Sequence, residues 1–494
     1  MEWNIADLVE ATADAVPDRE ALVAGPARRT YAELDARANR VAHHLAAAGV
    51  RQGEHVGIHA YNCAEFVETM MGCYKLRAVP ININYRYVEE ELRYLFDNAD
   101  LVALVHQRRF TPRIAAIREG LPKLRHFVAI DDESGEDTSP LGSVAYEEAL
   151  AGASPERDFG PRSPDDRYVL YTGGTTGMPK GVVWRQQDVI FALGGGIDHV
   201  TGVPHERPEE MAAKTQNPPA CTLATAPLMH GAAQWGTMGG LFVGNKVVLY
   251  CERSFDPEAI WDLVEREKVN VMTITGDAMG RPLADDLDQA KARHDLSSLI
   301  AVASTAAIFS PSVKAQFKAA FPNLVITDSV GSTEGGFNGT NMYQGEGAPR
   351  REGAGINVKP GRGTIVIDEE GKRIPPGDAR IGKLARGGNI PIGYYKDPEK
   401  TAATFIQVEG ERYAVPGDFA KMEDDGTITL LGRGSVCINS GGEKIYPEEV
   451  EAARTRHPDV FDAVVLGIPD ARWGEREAAV VQPRPGATPA LEAL

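Results

Sequence analysis

Apolar residues in the first hundred positions alternate between helical spacing and short continuous runs. Helical spacing over residues 5–15 and 31–48 predicts two amphipathic helices, the second preceded by Thr30 and Glu33 in a capping-box arrangement. The pattern then predicts strands at 55–60, 78–83 and 101–106, separated by helices at 63–75 and 88–98. This alternation predicts parallel βαβ units in an open α/β sheet.

The pattern changes after this sheet. Residues 131–166, with a weak helical patch at 146–150, and residues 203–219 predict surface connections without function. Buried strands are predicted at 168–171, 221–226, 269–275, 300–304 and 325–330. From residue 361, short strands between glycine turns predict a small β-barrel-like subdomain, with strands at 363–367, 382–386, 393–395 and 413–419. Later strands are predicted at 427–431, 463–468 and 478–482.

Length and composition narrow the class of protein. The 494 residues are too many for one core, so at least two domains are expected. With 70 acidic and 52 basic residues, the net charge of -18 disfavours a nucleic-acid partner. The chain has no apolar run of transmembrane length and no signal-peptide pattern, which predicts a cytoplasmic protein without an integral membrane segment. Its five cysteines show no metal-ligand spacing.

Residues 168–184, YVLYTGGTTGMPKGVVW, carry the strongest chemical signal. Glycines let the backbone approach an anion, threonine hydroxyls add donors, and a lysine adds a positive charge, which together predict a phosphate-binding loop. A Gly/Thr-rich loop alone is more often a simple turn. The GxxxxGK[ST] pattern does not fit either, because Lys180 follows a proline and no Ser or Thr follows it. The predicted phosphate-binding residues are Thr172, Gly173, Gly174, Thr175, Thr176 and Lys180.

The ten residues TGGTTGMPKG (172–181) resemble the signature of the adenylate-forming superfamily, which includes acyl-CoA synthetases, peptide-synthetase adenylation domains and firefly-type luciferases. The phrases TYAELDARANRVAHHL (30–45) and VPININ (79–84) are also similar to that family, and the resemblance spans residues 5–482. It implies a large N-terminal adenylation domain, residues 1–432, made of doubly wound α/β subdomains and the small β subdomain. A hinge and a partial, mobile α+β C-terminal domain follow at 433–494.

A second motif, GSTEGG at 331–336, resembles the YGxTE element of the family. An ionised glutamate beside a phosphate loop would be repelled by ATP unless a cation lay between them, so Glu334 is predicted to bind Mg²⁺, together with Thr176. The resemblance implies that Gly331, Ser332 and Thr333 contact the nucleotide. Val330 stands where relatives carry an aromatic residue that stacks on adenine. The alternative is a glycine-rich loop with a solvated glutamate.

Further nucleotide-binding residues are implied by the resemblance alone. Ala306 and Ala307 stand where relatives carry a Gly-Gly-Ala-Pro phrase beside adenine. Asp418, in a Gly-Asp element, would accept hydrogen bonds from the ribose hydroxyls, although a turn-forming aspartate is the alternative. Arg433 would touch the ribose, and Ser435 would be the hinge of the C-terminal domain.

The acyl and CoA sites are predicted from two other stretches. His230 lies in a phrase similar to the PxFHxxG element and would border the acyl site, where it would gate or position the substrate. The small residues after it, including Gly231 and Gly236, indicate either tight packing or a wide acyl tunnel. Residues 441–444 would serve CoA: Gly441 and Gly442 as the wall of the pantetheine tunnel, and Lys444 on a phosphate.

The C-terminal end carries its own expectation. Thr488 and Pro489 predict the start of a helix, which residues 490–494 are too few to complete. We therefore expect a chain that is cut within its C-terminal domain and lacks the further lysine-bearing segment of relatives.

The resemblance implies an ATP-dependent acid–CoA ligase that uses ATP, Mg²⁺ and CoA. Residues 273–279 and 304–309 resemble the actinobacterial synthetases that activate sterol side-chain acids, and a medium- or long-chain fatty acid is the alternative substrate. A peptide-synthetase module is disfavoured, since Asp328 is only a weak candidate for an α-amino group. The remaining alternatives are an acyl-AMP ligase that serves a carrier protein and a non-catalytic nucleotide-binding regulator. The oligomeric state stays open, with a homodimer as one alternative.

Overall fold

The computed structural model describes residues 1–174, 177–193, 196–197, 203–343, 356–433, 438–440, 443–445, 447–455, 457–470 and 474–490. The chain forms two compact units. The first contains Met1–Ile274, Asp285–Ala303 and Asn389–Ala402, and the second contains Thr275–Ala284, Ser304–Gly388 and Ala403–Leu494. These units are compact parts of the structure and do not test the domain boundary expected after residue 432, which stays a prediction.

The N-terminal helices form as their pattern predicts. Helix α1 spans Ile5–Ala15, strands β1 and β2 span Glu20–Ala24 and Ala27–Thr30, and α2 spans Tyr31–Ala47. The capping box is present, because the Glu33 N–H donates to Thr30 Oγ1 at 3.2 Å and the Thr30 N–H donates to Glu33 Oε2 at 2.8 Å. The strand pattern of β1 and β2 was not recognised in the sequence, since both strands are short.

A parallel sheet follows in the first unit. Its elements are β3 (His55–His59), α3 (Ala64–Lys75), β4 (Val79–Asn82), α4 (Glu89–Asn98), β5 (Leu101–Gln107), α5 (Thr111–Ala115), β6 (His126–Ile130), β7 (Val144–Ala145) and α6 (Tyr146–Ala151). The strand order is β4-β3-β5-β6-β7, and every pairing is parallel. The predicted βαβ units are confirmed, and the apolar helix faces fill the core between helices and sheet.

Residues 131–166 are more than a surface connection. Tyr146 is 3 % exposed and its hydroxyl lies 3.1 Å from Glu68 Oε2. Asp166 is buried and accepts hydrogen bonds from the Arg77 guanidinium at 2.7 Å. The interpretation as a surface connection is wrong at these positions, because long-range ion pairs bury polar residues that look like loop residues in the sequence.

The hairpin that carries the phosphate-loop signature comes next, with β8 at Arg167–Gly174, β9 at Gly177–Arg185 and α7 at Gln186–Ala192. Helix α8, Glu209–Ala213, lies within the region predicted to be a surface excursion. Met211 in α8 is fully buried, and Thr215 is 2 % exposed. The surface interpretation of residues 203–219 is therefore wrong for this helix.

The chain continues with β10 (Cys221–Ala224), α9 (Gly231–Phe242), β11 (Lys246–Leu249), α10 (Pro257–Glu267) and β12 (Val271–Ile274) of the first unit, followed by α11 (Gly276–Arg293) and β13 (Ala301–Thr305), whose residues are divided between the two units. The strands lie in the order β2-β1-β11-β10-β12-β13. The pairs β1–β11, β10–β11 and β10–β12 are parallel, so this sheet is also of α/β type.

The second unit is mostly antiparallel. Its elements in chain order are α12 (Pro311–Ala320), β14 (Val325–Ser332), β15 (Gly336–Met342), β16 (Ile356–Pro360), β17 (Thr364–Ile367) and β18 (Ile381–Gly387). Next in the chain come β19 (Gly393–Tyr394) and α13 (Pro398–Thr404), which lie wholly and mostly in the first unit, respectively. The second unit then continues with β20 (Phe405–Val408), β21 (Glu411–Ala414), β22 (Asp418–Met422) and β23 (Ile428–Arg433). The strand order is β14-β15-β16-β23-β22-β18-β21-β20, with β17 on β18, so the described pairing path is open.

Two strand predictions in this region need correction. Residues 413–419 form parts of two strands, because Gly417 has a φ of 106° and breaks the run between β21 and β22. Strand β19 belongs to the first unit, where it pairs with β9, and is not part of the small β subdomain. Its partner lies about two hundred residues earlier, so local pattern could not reveal it.

The C-terminal part of the second unit contains β24 (Ile438–Ser440), β25 (Glu443–Ile445), α14 (Pro447–Arg454), β26 (Val460–Asp470) and β27 (Gly474–Pro483). The sheet order is β25-β24-β27-β26. Residues 487–490 are not helical, and 491–494 lie outside the described residues, so the predicted terminal helix is not seen where the structure describes the chain. In the described ranges, no helix is both long enough and apolar enough to cross a membrane.

Candidate functional site

The phosphate-loop signature forms a β-hairpin. Residue pairing between β8 and β9 places Thr172 opposite Lys180 and Gly174 opposite Gly177, with an irregularity between Thr172 and Gly174. The tip residues Thr175 and Thr176 lie outside the described residues. Thr172 and Lys180 are therefore brought together at the base of the loop, on paired strands.

Two glycines of the signature have different roles. A Cβ on Gly181 would lie 2.6 Å from the Tyr171 ring, so Gly181 is needed for packing inside the hairpin. A Cβ on Gly173 would meet only the Tyr87 hydroxyl, at 3.7 Å, and Gly173 is exposed. The backbone at Gly173 is therefore accessible to a ligand, as a phosphate-binding loop requires.

Asn82, at the end of β4, holds the base of this hairpin. Its Nδ2 donates to the Tyr171 carbonyl at 2.8 Å and to the Met229 carbonyl at 2.6 Å, and its Oδ1 accepts from the Tyr171 N–H at 2.8 Å. The side chain is 5 % exposed, so these bonds are made in a dry environment. Asn82 thus ties the strand before Thr172 to the turn before His230. Sequence reasoning missed this role, and the signal was a polar residue at the end of an apolar run.

Lys180 forms an ion pair with Asp397, with 2.5 Å between Nζ and Oδ2. This hydrogen bond lowers the pKa of Asp397. Asp397 follows β19, which lies antiparallel to β9, and the Tyr395 N–H donates to the Gly181 carbonyl at 2.8 Å. The partner of the predicted phosphate lysine was not foreseen from the sequence, because it lies 217 residues away.

The candidate acyl site starts at His230, which immediately precedes α9. Its side chain is exposed, yet partial desolvation by its surroundings, together with the charge of Arg86, lowers its pKa. The imidazole is therefore neutral near pH 7, which suits a positioning role better than that of a cation.

The small residues of α9 fall into two groups. A Cβ on Gly240 would lie 2.8 Å from Val247 Cγ2, and one on Gly231 would lie 2.7 Å from Leu170 Cδ2, so these glycines serve close packing. At Gly236 and Gly239 a Cβ would meet no atom within 4 Å. Helix α9 therefore packs tightly at its ends and leaves space along its middle.

Trp235 on the same helix was not identified from the sequence. Its Nε1 donates to the Tyr168 hydroxyl at 3.0 Å, and that hydroxyl donates to Gln234 Oε1 at 2.9 Å. Trp235 helps to line a narrow apolar recess in the first unit, together with Ile5, Val189, Ile190, Leu193, Met238, Gly239 and Phe242. The ring is thus tied to β8, the strand that leads into the phosphate hairpin.

In the second unit, Glu334 lies in the tight turn between β14 and β15. The Gly335 N–H donates to the Ser332 carbonyl and to Ser332 Oγ, at 3.3 and 3.0 Å. A Cβ on Gly331 would lie 2.7 Å from the Gly336 carbonyl oxygen, and Gly336 itself has a φ of 67°. The glycines of the motif therefore shape a turn that presents Thr333 and the half-buried Glu334 at its tip.

Val330 precedes this turn and packs against an apolar core of the second unit that includes Val358, Val366 and Ile428. A branched aliphatic side chain fits this half-buried position. The aromatic residue expected from relatives is thus replaced by one that contributes to the core.

Ala306 and Ala307 lie in a bend after β13. Ala306 adopts a φ of 66°, a left-handed region in which glycine is favoured over residues with a Cβ. The bend contacts the start of α11: the Asp277 N–H donates to the Ile308 carbonyl at 2.7 Å, and a Cβ on Gly276 would lie 2.4 Å from that oxygen. The phrase is therefore a closely packed backbone turn.

The predicted ribose ligands occupy paired positions. Asp418 is the first residue of β22, half-buried, and its register partner on β23 is Arg433. The preceding Gly417 has a φ of 106°, and a Cβ added there would meet no atom within 4 Å. The strand pairing thus brings the backbones of Asp418 and Arg433 side by side, and their role in binding ribose stays a prediction.

Other predicted residues are less completely described. Ser435, Gly441 and Gly442 lie outside the described residues, and Lys444 is described as a position on β25 opposite Asn439. In the described part of the chain, no group of three or more His, Cys, Asp or Glu side chains could hold a metal ion.

Asp328, the weak candidate for recognising an α-amino group, already has a cation. It forms an ion pair with Lys314 in a buried position, and burial raises the pKa of Asp328 despite this partner. Because its charge is neutralised inside the protein, Asp328 is poorly suited to a substrate ammonium group.

Two family models and several known proteins match this chain. A family model described as "AMP-binding enzyme" matches residues 9–395, and one described as "AMP-binding enzyme C-terminal domain" matches residues 449–494. A medium/long-chain-fatty-acid–CoA/3-oxocholest-4-en-26-oate–CoA ligase of Mycobacterium tuberculosis is 50% identical over 492 residues, covering 99% of this chain and 89% of that protein. A 3-oxocholest-4-en-26-oate–CoA ligase of Rhodococcus rhodochrous is 49% identical over 499 residues, covering 100% of this chain and 89% of that protein.

Two solved structures share the fold. The anthranilate CoA ligase AuaEII in complex with anthranoyl-AMP has a TM-score of 0.83 at 24% identity, over 99% of this chain and 88% of that one. ATP-bound MatB from Rhodopseudomonas palustris has a TM-score of 0.81 at 24% identity, over 100% of this chain and 91% of that one.

Proposed function

Because this chain belongs to the AMP-binding enzyme family, within the acid–CoA ligases of the adenylate-forming superfamily, we propose that it activates a bulky steroid side-chain acid or a medium- to long-chain fatty acid. The observation that carries this proposal is the 50% identity, along nearly the whole chain, to ligases named for both substrate classes.

The reaction has two steps. The carboxylate of the acid attacks the α-phosphorus of ATP and pyrophosphate leaves, and the thiol of CoA then displaces AMP from the acyl-adenylate. In the first step the β8–β9 hairpin holds the polyphosphate, with donors from Thr172, Lys180 and the exposed backbone at Gly173. Asp418 and Arg433 hold the ribose through their paired positions on β22 and β23. Catalysis rests mainly on orientation and on electrostatic stabilisation of the phosphate charge.

Glu334 fits a role in Mg²⁺ binding. Mg²⁺ is commonly held by one or two carboxylates and by substrate phosphates, and it does not need a cage of protein ligands. A single half-buried carboxylate at the tip of a tight turn agrees with that mode. When bound, the ion would neutralise phosphate charge. Thr176, proposed as its second ligand, lies outside the described residues.

The middle of α9 is the proposed acyl surface. Gly236 and Gly239 leave open space beside the helix, which suits a bulky ring system, and the neutral His230 borders this surface without adding charge. Trp235 joins the proposed set, since its ring lines the neighbouring apolar recess. The CoA roles of Gly441, Gly442 and Lys444 and the hinge role of Ser435 also stay part of the proposal.

A direct test is AMP release from ATP with purified protein, comparing 3-oxocholest-4-en-26-oate, a C12 fatty acid and acetate. We expect AMP and acyl-CoA with the first two acids and little turnover of acetate. Pyrophosphate release without consumption of CoA would favour the acyl-AMP ligase. Nucleotide binding with no acid-dependent pyrophosphate release would favour the non-catalytic regulator.

Gly236→Leu tests the acyl surface. A leucine side chain at Gly236 would extend into the open space beside α9, where we propose that the acid binds. We therefore expect a larger loss of kcat/KM for the steroid acid than for the linear acid, corresponding to roughly 1–3 kcal/mol. Gly240→Ala is the matched control, because its Cβ would collide with Val247 and should affect both acids equally. Equal losses with Gly236→Leu would remove this glycine from the acyl site.

A further inference from the structure

The partner of Lys180 lies just after β19, in a segment that pairs antiparallel with β9 of the phosphate hairpin. The Lys180 side chain is 40% exposed and that of Asp397 is 28% exposed, so their ion pair lies at an accessible surface. Such half-exposed pairs are weak and are exchanged easily for a stronger partner. A polyphosphate is such a partner, because it carries several charges and forms charge-assisted hydrogen bonds with lysine.

Asp397 is held in place by a second set of bonds. While Oδ2 accepts from Lys180, Oδ1 accepts from the Lys400 N–H at 2.8 Å, and the Asp397 carbonyl accepts from the Thr401 N–H at 3.0 Å. Asp397 therefore caps the start of α13 independently of Lys180. Its carboxylate will stay near the hairpin after the lysine has turned to another anion.

The segment around Asp397 has its own anchor. The Tyr395 hydroxyl donates to Asp100 Oδ2 at 2.7 Å, and Lys396 Nζ lies 2.6 Å from the same oxygen. The Lys180–Asp397 contact is thus not needed to fix the segment, and its charge is available for another role.

We propose that Asp397 is a positioning residue that competes with polyphosphate for Lys180. The proposal rests on the proposed role of Lys180 as a phosphate ligand. Before nucleotide binding, Asp397 holds the flexible lysine beside β9 and neutralises its charge. After binding, the capped carboxylate remains close and repels the phosphates, which limits affinity for inorganic polyphosphates and favours release of pyrophosphate.

The test uses variants of the full chain that separate the pairing of Asp397 with Lys180 from its capping of α13. Asp397→Asn keeps an oxygen for the α13 cap, since asparagine is also a good cap, but removes the anionic partner of Lys180. Asp100→Asn is the matched control, because it alters the neighbouring anchor of the same segment without touching Lys180. Lys180→Met removes the lysine and tests the underlying assignment.

Calorimetric titration with tripolyphosphate at low ionic strength is the primary measurement. We expect Asp397→Asn to bind tripolyphosphate about two- to five-fold more tightly than the unaltered protein, in the range of a half-exposed ion pair. Product inhibition by pyrophosphate should strengthen by a similar factor. The difference should shrink toward zero at 1 M salt, where charges are screened within about 3 Å. Asp100→Asn should bind as the unaltered protein does.

Equal or weaker binding by Asp397→Asn, or an equal gain with Asp100→Asn, overturns the proposal. If Lys180→Met binds tripolyphosphate as well as the unaltered protein, the phosphate role of Lys180 fails and the proposal falls with it. If Lys180→Met binds tripolyphosphate more weakly while the affinity of Asp397→Asn is unchanged, the proposed competition by Asp397 is wrong and the phosphate role of Lys180 is supported.

Discussion

Two β-hairpins carry the residues that we propose bind phosphate and Mg²⁺, and they are held in shape by different means. The β8–β9 hairpin is contacted by side chains from distant segments: Asn82 holds its base, and Asp397 pairs with its lysine. The β14–β15 hairpin is shaped by its own glycines, with Gly331 against the Gly336 carbonyl and Ser332 accepting from Gly335. One site is assembled by tertiary contacts, and the other is encoded in six consecutive residues.

This difference indicates where each hairpin is vulnerable. A self-contained turn should be damaged by substitutions within it and be insensitive to changes elsewhere. A hairpin clamped from outside should tolerate changes at its exposed glycine and respond to changes far away in the chain.

The largest effect is expected at the tip of β14–β15. Glu334→Gln should lower ATP–pyrophosphate exchange by about 10² to 10³, because an amide cannot replace a carboxylate that faces a cation. The circular dichroism spectrum should be unchanged, because the turn is shaped by its backbone and its glycines. Glu370→Gln is the control, because Glu370 is an exposed glutamate of the same unit, paired with Lys372. Exchange near the unaltered level would remove Glu334 from the site.

Loss of the Asn82 side chain, which holds the base of the β8–β9 hairpin, should have the next largest effect. Asn82→Ala leaves the N–H and carbonyl of Tyr171 and the carbonyl of Met229 without this partner, at a cost of about 1–3 kcal/mol for each buried group that stays unsatisfied. We expect a lower thermal midpoint together with a raised KM for ATP.

Asn62→Ala separates the effect on stability from the effect on ATP binding. Asn62 holds the same turn through Leu228 and Ala226 but does not bond to β8. It should lower stability while changing the KM for ATP less than Asn82→Ala does. Identical KM changes for both variants would show that the hydrogen bonds between Asn82 and β8 have no specific effect on ATP binding.

A pair of glycine substitutions compares the two hairpins directly. Gly331→Ala places a Cβ 2.7 Å from a backbone oxygen that cannot move aside, and overpacking of this kind costs roughly 1–3 kcal/mol. Gly173→Ala places its Cβ 3.7 Å from the Tyr87 hydroxyl, which is an ordinary contact. Only the first should lower the thermal midpoint, whereas the second should act on ATP binding alone. Equal destabilisation by both would contradict the distinction.

The smallest effect concerns pH. Pairing with Lys180 lowers the pKa of Asp397 below its usual value of 3.8, so the folded state gains stability above that value and loses it as the pH falls through the folded-state pKa. The contribution of this exposed pair is expected to be a few tenths of a kcal/mol. The difference in thermal midpoint between the unaltered protein and Asp397→Asn should be constant from about pH 7 to 5 and shrink below about pH 4. A difference that grows on acidification would contradict the sign.

Sequence pattern predicted much of the fold because helices and strands of the parallel sheet have local signatures. The bounds of α1 agree to the residue, and the capping box of Thr30 and Glu33 forms as expected. The errors lie where burial depends on distant partners, as for Tyr146 on Glu68 and for Met211 in α8. Isolated polar or loop-like residues give no local sign that another segment will cover them.

The candidate site shows the same contrast between residues found from local motifs and residues whose roles depend on distant contacts. The sequence predicts phosphate binding by residues 172–181 and a metal-binding carboxylate in residues 331–336 from local motifs, because anion binding needs glycines, hydroxyls and a lysine close together in the chain. Asn82 and Trp235 escaped notice, since their roles depend on atoms of Tyr171 and Tyr168 that lie 89 and 67 residues away.

The sequence by itself determined the local elements and the superfamily, because these follow from periodicity and from motifs of residues adjacent in the chain; the phosphate and metal ligands that it predicts stay predictions. Tertiary structure decided which glycines serve packing and which leave space: Gly181 and Gly240 are confined by neighbours, whereas Gly173 and Gly236 are not. It also decided that Lys180 is opposed by Asp397, since the pairing of β19 with β9 brings a carboxylate from 217 residues away to the phosphate hairpin. Packing and charge pairing depend on distances in space, and no local pattern contains them.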